Sequence, residues 1–189
     1  FASLMGLPLP LLPLQILFIN LVMDVFPALA LGVGAAHEDV MKNPPRHSEE
    51  PIVAAFHWKM IGFYGLVIAV CVVIALVMAQ EYLMLDEGAA VSISFLTLAL
   101  ARLWHVFNMR DAASPVFRNE VTRNPVVWGA IGLCFILVMM TVYVPVIADI
   151  LKVENPGSAG WLLIVIMSIV PLRIGQAALG FLRMKEKKQ

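Results

Sequence analysis

The chain has 189 residues, with thirteen basic and thirteen acidic side chains and a formal net charge of zero. Hydrophobic residues make up 61% and charged residues only 14%, against about a quarter charged in soluble domains, and mean hydropathy is +0.88. That composition excludes a water-soluble domain and predicts an all-α membrane protein whose first partner is the lipid bilayer; no nucleic-acid partner is expected.

Five apolar segments, at about 11–33, 58–80, 89–107, 126–147 and 160–181, form one membrane domain over 1–189. Each is near the ~20 residues that cross a hydrocarbon core as helix. Ahead of the first, "FASLMGLPLPLLPLQ" has no basic residue and no initiator Met, so it does not read as a secretory signal. It reads as the continuation of a longer chain with upstream helices. The first segment, "ILFINLVMDVFPALALG", carries Asn20, Asp24 and Pro27. The loop "HEDVMKNPPRHSEEP" follows, and Pro44, Pro45 and Pro51 stop helix there. The second segment holds Cys71 and the fourth Cys134, each inside an apolar run, where packing is the expected role. The third, "SISFLTLALARLWHVFN", sets Ser94, Thr97, Arg102, His105 and Asn108 along one broad helical stripe. The next loop ends in Asn124-Pro125, a good helix start. In the fifth, Arg173 is expected to snorkel, and Ser168 and Pro171 need no ligand role.

Basic residues give the orientation. Ten of them, Lys42, Arg46, Lys59, Arg110, Arg118, Arg123, Arg183, Lys185, Lys187 and Lys188, fall on one side of the five-segment layout, and Lys152 alone on the other. This predicts a cytoplasmic C-terminus and an outside N-terminus. No nucleotide cradle, nucleophile elbow or Cys/His cluster is present, so this chain by itself is expected to catalyse nothing and to hold no cofactor.

Of the thirteen acidic residues, only Asp24 sits near the middle of a span. An ionised group there costs at least ~2.5–3.5 kcal/mol, so a partner or a purpose is expected. Asn20 and Asp24, four apart, share one helix face. Pro27 has no N–H for the carbonyl of Met23. An amide oxygen, a carboxylate and a loosened Met23 carbonyl are hard oxygen ligands of the kind that hold Ca²⁺. The other reading is that Asn20 and Asp24 only tie helices together. Helix rise puts Asp24 ~12 Å and Arg102 ~9 Å from the same membrane face. Arg102 can therefore reach Asp24 as counter-ion, or snorkel to the interface instead.

"LPLQILFINLVMDVFPALALG" followed by "EDVMKNPPR" resembles the sixth transmembrane helix and following cytoplasmic loop of P-type cation-transporting ATPases, the calcium-pump branch in particular. Asn20 and Asp24 match that family's ligand positions, and Met41, Pro44, Pro45 and Arg46 match its loop motif. The five segments are then similar to the sixth to tenth helices. The resemblance implies a transported cation, Ca²⁺, with Asn20, Asp24 and the Met23 carbonyl as ligands. It implies a coupling loop at Met41, Pro44, Pro45 and Arg46, and missing first to fifth helices and cytoplasmic domains that use ATP and Mg²⁺. It further implies the plasma membrane. Two-site pumps of the branch carry Thr where Met23 stands and Glu where Arg102 aligns, which implies one ion here. A proton pump using Asp24 as carrier, and a non-catalytic scaffold or channel fragment, are the alternatives.

Overall fold

The computed structural model describes residues 8–33, 55–109 and 120–186. All regular structure among them is helical. Among the described residues five helices are long and apolar enough to cross a membrane.

The first, α1 (Pro13–Gly32), opens with Pro13 at a position where no N–H is needed. It is α-helical over Pro13–Phe18 and Val25–Gly32 and π-helical between, over Ile19–Asp24. Two long helices follow: α2 (Ala55–Glu81) and α3 (Glu87–His105), the latter ending in a 3₁₀ turn over Val106–Asn108. Asp86 caps α3, its Oδ2 accepting from the N–H groups of Gly88 at 3.1 Å and Ala89 at 3.5 Å. The short α4 (Glu120–Arg123) leads into α5 (Pro125–Tyr143), where Asn124 is the cap and Pro125 the first residue. Then come α6 (Pro145–Leu151) and α7 (Gly157–Glu186).

The fourth segment is not one helix to residue 147. Val144 takes an extended conformation, φ −98° and ψ 108°, because the ring of Pro145 disfavours the helical region for the residue before it. Pro145 then starts α6, so the span is a rod bent between α5 and α6.

The assembly is built around α3. In its membrane span 72% of the most apolar window is buried, against 22–33% for the other four. Helices α2 and α7 pack on it from one side, α5 and the π turn of α1 from the other. Its side of the core is Ile93, Phe95, Leu96, Ala99, Leu100 and Leu103, meeting Ala75, Leu76 and Ala79 of α2, Ile19, Val22 and Met23 of α1, and Ile164 of α7. Small residues let the helices approach, as expected where lipid supplies no hydrophobic drive for association. A Cβ added at Gly160 would stand 2.7 Å from Pro156 and 3.1 Å from Ile93. Exposed Leu17, Leu21, Trp58, Leu66, Ile136 and Leu162 cover the outside of this set.

Candidate functional site

The π turn lies inside the first span, and it contains both Asn20 and Asp24. Such widened turns recur at functional sites because they break the regular pairing of backbone carbonyls. Within the turn Ile19, Val22 and Met23 are buried against the core, whereas Asn20 and Asp24 face outward.

Arg102, in the last turn of α3, meets Asp24 there. Its Nη1 donates to both carboxylate oxygens at 2.5 Å, and the two side chains keep 34% and 51% of their surface exposed. The guanidinium therefore lies on the carboxylate, with one flank of the pair uncovered by this chain.

Three hydrogen bonds fasten α1 to the bent α5–α6 rod at three depths. Near the start of α1, fully buried Gln15 donates from Nε2 to the carbonyl of Leu151 at 3.1 Å, while its Oε1 accepts from the Leu12 N–H at 3.0 Å. In the middle, the Cys134 thiol reaches the carbonyl of Val22 at 3.4 Å. Near the end, Asn124 donates from Nδ2 to the carbonyl of Ala30 at 3.1 Å, and its Oδ1 caps α5 at the N–H of Val126. The ends of α1 are thus held where it is α-helical, and its middle where it is π-helical.

The expected polar stripe of α3 divides. Ser94 turns back to the Ala90 carbonyl at 3.1 Å, and Thr97 is buried without a hydrogen-bond partner. Only Arg102 turns to α1. His105 lies against the Tyr64 ring of α2 with centroids 4.7 Å apart, and Asn108 accepts from Gln176 of α7 at 2.8 Å. Ser168 has a structural job: it accepts from the Trp104 indole at 3.3 Å. Arg173 is exposed. Met41, Pro44, Pro45 and Arg46 lie outside the described residues.

Both cysteines are buried and free, and among the described residues no three His, Cys, Asp or Glu side chains cluster as a metal site. This chain offers one carboxylate, one amide and backbone carbonyls, a set that needs further oxygens from elsewhere to complete the six to eight of a calcium ion. Sequence reasoning missed Gln15, Cys134 and the second role of Asn124. Gln15 is the only amide among the apolar residues opening α1, and that was its available signal.

A family profile described as "Cation transporting ATPase, C-terminus" matches residues 8–179. The chain is 37% identical over 172 residues to a calcium-transporting ATPase of Bacillus subtilis, covering 90% of this chain and 19% of that protein. It is 28% identical over 190 residues to calcium-transporting ATPase 1 of Bacillus cereus, covering 93% and 21%. With calcium-transporting ATPase 1 of Saccharomyces cerevisiae it shares 28% identity over 166 residues, covering 86% and 17%. The chain therefore spans about a fifth of the length of these relatives. A five-helix membrane bundle with an Asn-Leu-Val-Met-Asp turn in its first helix, matched by the profile almost end to end, belongs to the C-terminal region of the cation-transporting ATPases.

Proposed function

We propose that this chain supplies the cation-holding membrane helices of an ATP-driven calcium pump. The observation that carries the reading is the π turn of α1, which puts Asn20 and Asp24 on one open flank with Arg102 on the carboxylate. Asn20, Asp24 and the Met23 carbonyl are the ligands from this chain. The remaining oxygens come from upstream helices seated on that flank, and ATP and Mg²⁺ act in upstream cytoplasmic domains. Relatives named calcium-transporting ATPases favour Ca²⁺ over a proton as cargo, and favour a pump over a scaffold.

Arg102 is the counter-ion of Asp24 between ion loads, and its fixed charge limits the pump to one ion by like-charge repulsion. Met41, Pro44, Pro45 and Arg46 form the loop that passes movement of the ATP-using domains to α1. The N-terminus lies outside and the C-terminus in the cytoplasm, in the plasma membrane.

The test is calcium-dependent phosphorylation of the complete ATPase by ATP. Asp24→Asn should abolish it, since a neutral amide cannot replace the charge that holds a divalent ion, and Asn20→Ala should weaken it. Wild-type calcium dependence in Asp24→Asn would reduce the acid to a structural clamp.

A further inference from the structure

We propose that Cys134 is a positioning residue for the cation site, its thiol engaging the Val22 carbonyl so that the neighbouring Met23 carbonyl is the one left to the ion. The proposal rests on reading the Asn20 to Asp24 turn as that site.

Two neighbouring carbonyls are affected by Pro27. At α-helical spacing the missing N–H is the one that would serve Met23, four residues back; at π spacing it is the one that would serve Val22, five back. The turn changes from π to α between these residues and Pro27, so nothing in the local sequence decides which carbonyl turns outward. A donor from a neighbouring helix does. Cys134 is fully buried in the middle of α5, and its Sγ stands 3.4 Å from the Val22 oxygen. A thiol is a weak donor with a long reach, suited to marking a carbonyl without dragging the turn into α5.

Two further features set Cys134 apart from a packing residue. The other ties to the α5–α6 rod, at Gln15 and Asn124, fasten stretches of α1 that are α-helical. Cys134 alone of the three touches the π turn, at the residue midway between Asn20 and Asp24. The thiol comes from α5 and the guanidinium from α3, so turn and carboxylate are held from two different helices.

The experiment measures half-saturating calcium and maximal rate of ATP hydrolysis in the complete ATPase for wild type, Cys134→Ala, Cys134→Ser and Asp24→Asn. A weak thiol hydrogen bond sits at the low end of the hydrogen-bond range, so Cys134→Ala is expected to raise half-saturating calcium by about two- to fivefold, with the maximal rate kept. Cys134→Ser retains a donor and should return to within about twofold of wild type. If the Ala variant does not accumulate, Cys134→Val, which fills the space without a donor, is measured with the same expectation. Equal shifts in the Ala and Ser variants, no shift in either, or a fallen maximal rate at unchanged half-saturation would each overturn the assignment. Asp24→Asn separates the two ideas. Calcium dependence lost there but wild-type in Cys134→Ala defeats only the role of Cys134, whereas calcium dependence kept in Asp24→Asn defeats the site reading itself.

Discussion

Asp24 carries a charge into a span, and the side chain beside it sets what the charge can do. With Arg102 donating to both its oxygens, a cation entering the turn has to share or displace a guanidinium. Both groups lie within spans, where water screens the pair less than on a soluble surface, so on the proposed reading loading of the cation competes directly with this contact. Arg102→Met is therefore expected to lower half-saturating calcium by at least about twofold, the equivalent of ~0.4 kcal/mol. Titration of calcium-dependent hydrolysis checks this, and a rise would mean that the guanidinium helps to shape the site. That these two residues stand at matching depth was readable from the chain, because helix rise turns sequence position into depth. Whether Arg102 turns to Asp24 or snorkels was not, since that depends on how α1 and α3 face each other. The role of Cys134 was not, because a thiol among Val, Leu and Phe carries no periodic signal, and its partner is a backbone atom 112 residues away.

At the scale of elements, α1 is an insert clamped by the α5–α6 rod. Gln15→Leu removes the buried amide and leaves the Leu151 carbonyl and Leu12 N–H without it, at an expected ~1–3 kcal/mol. Asn124→Ala removes a helix cap and a tie at once, at ~0.5–2 kcal/mol for the cap alone. Thermal midpoints of the purified protein in detergent should fall for both. Gly175 shows where α7 is packed without slack: a Cβ there would run into the Asn108 amide and stand 2.6 Å from the Tyr64 ring. Gly175→Ala is accordingly expected to cost ~1–3 kcal/mol by overpacking, read in the same melts. The helices themselves were legible, since apolar length is a strong signal. Their internal breaks were not. Pro27 announces a disturbance without saying that the helix widens into a π turn, and the hydropathy of 126–147 runs straight through the bend that Pro145 imposes on Val144.

Over the whole molecule, orientation and enclosure can be tested separately. Ten basic residues on one side of the layout predict that cysteines introduced at Glu87 and Asn155 label from outside, whereas those at Ser48 and Ser114 do not. Reversed labelling would overturn the orientation and the pump reading together. Enclosure bears on how the protein enters the bilayer at all. Helix α3 is the least apolar of the five spans and the most surrounded, and it carries the arginine that leans on Asp24. A ribosome delivers this helix third of the five, after α1 and α2 but before α5 and α7 can wrap it. Arg102 lies in the last turn of α3 and not at its centre, so it costs less to insert than the about 2.5–3.5 kcal/mol of a mid-helix arginine. It adds to the low hydropathy of α3, however, and the helix is expected to wait beside the insertion machinery until neighbours are available. A reporter fused just beyond Met109 should integrate poorly when α3 is translated by itself and better when α1 precedes it. Asp24→Leu should erase most of that gain, making the carboxylate a chaperone for its own future counter-ion during synthesis.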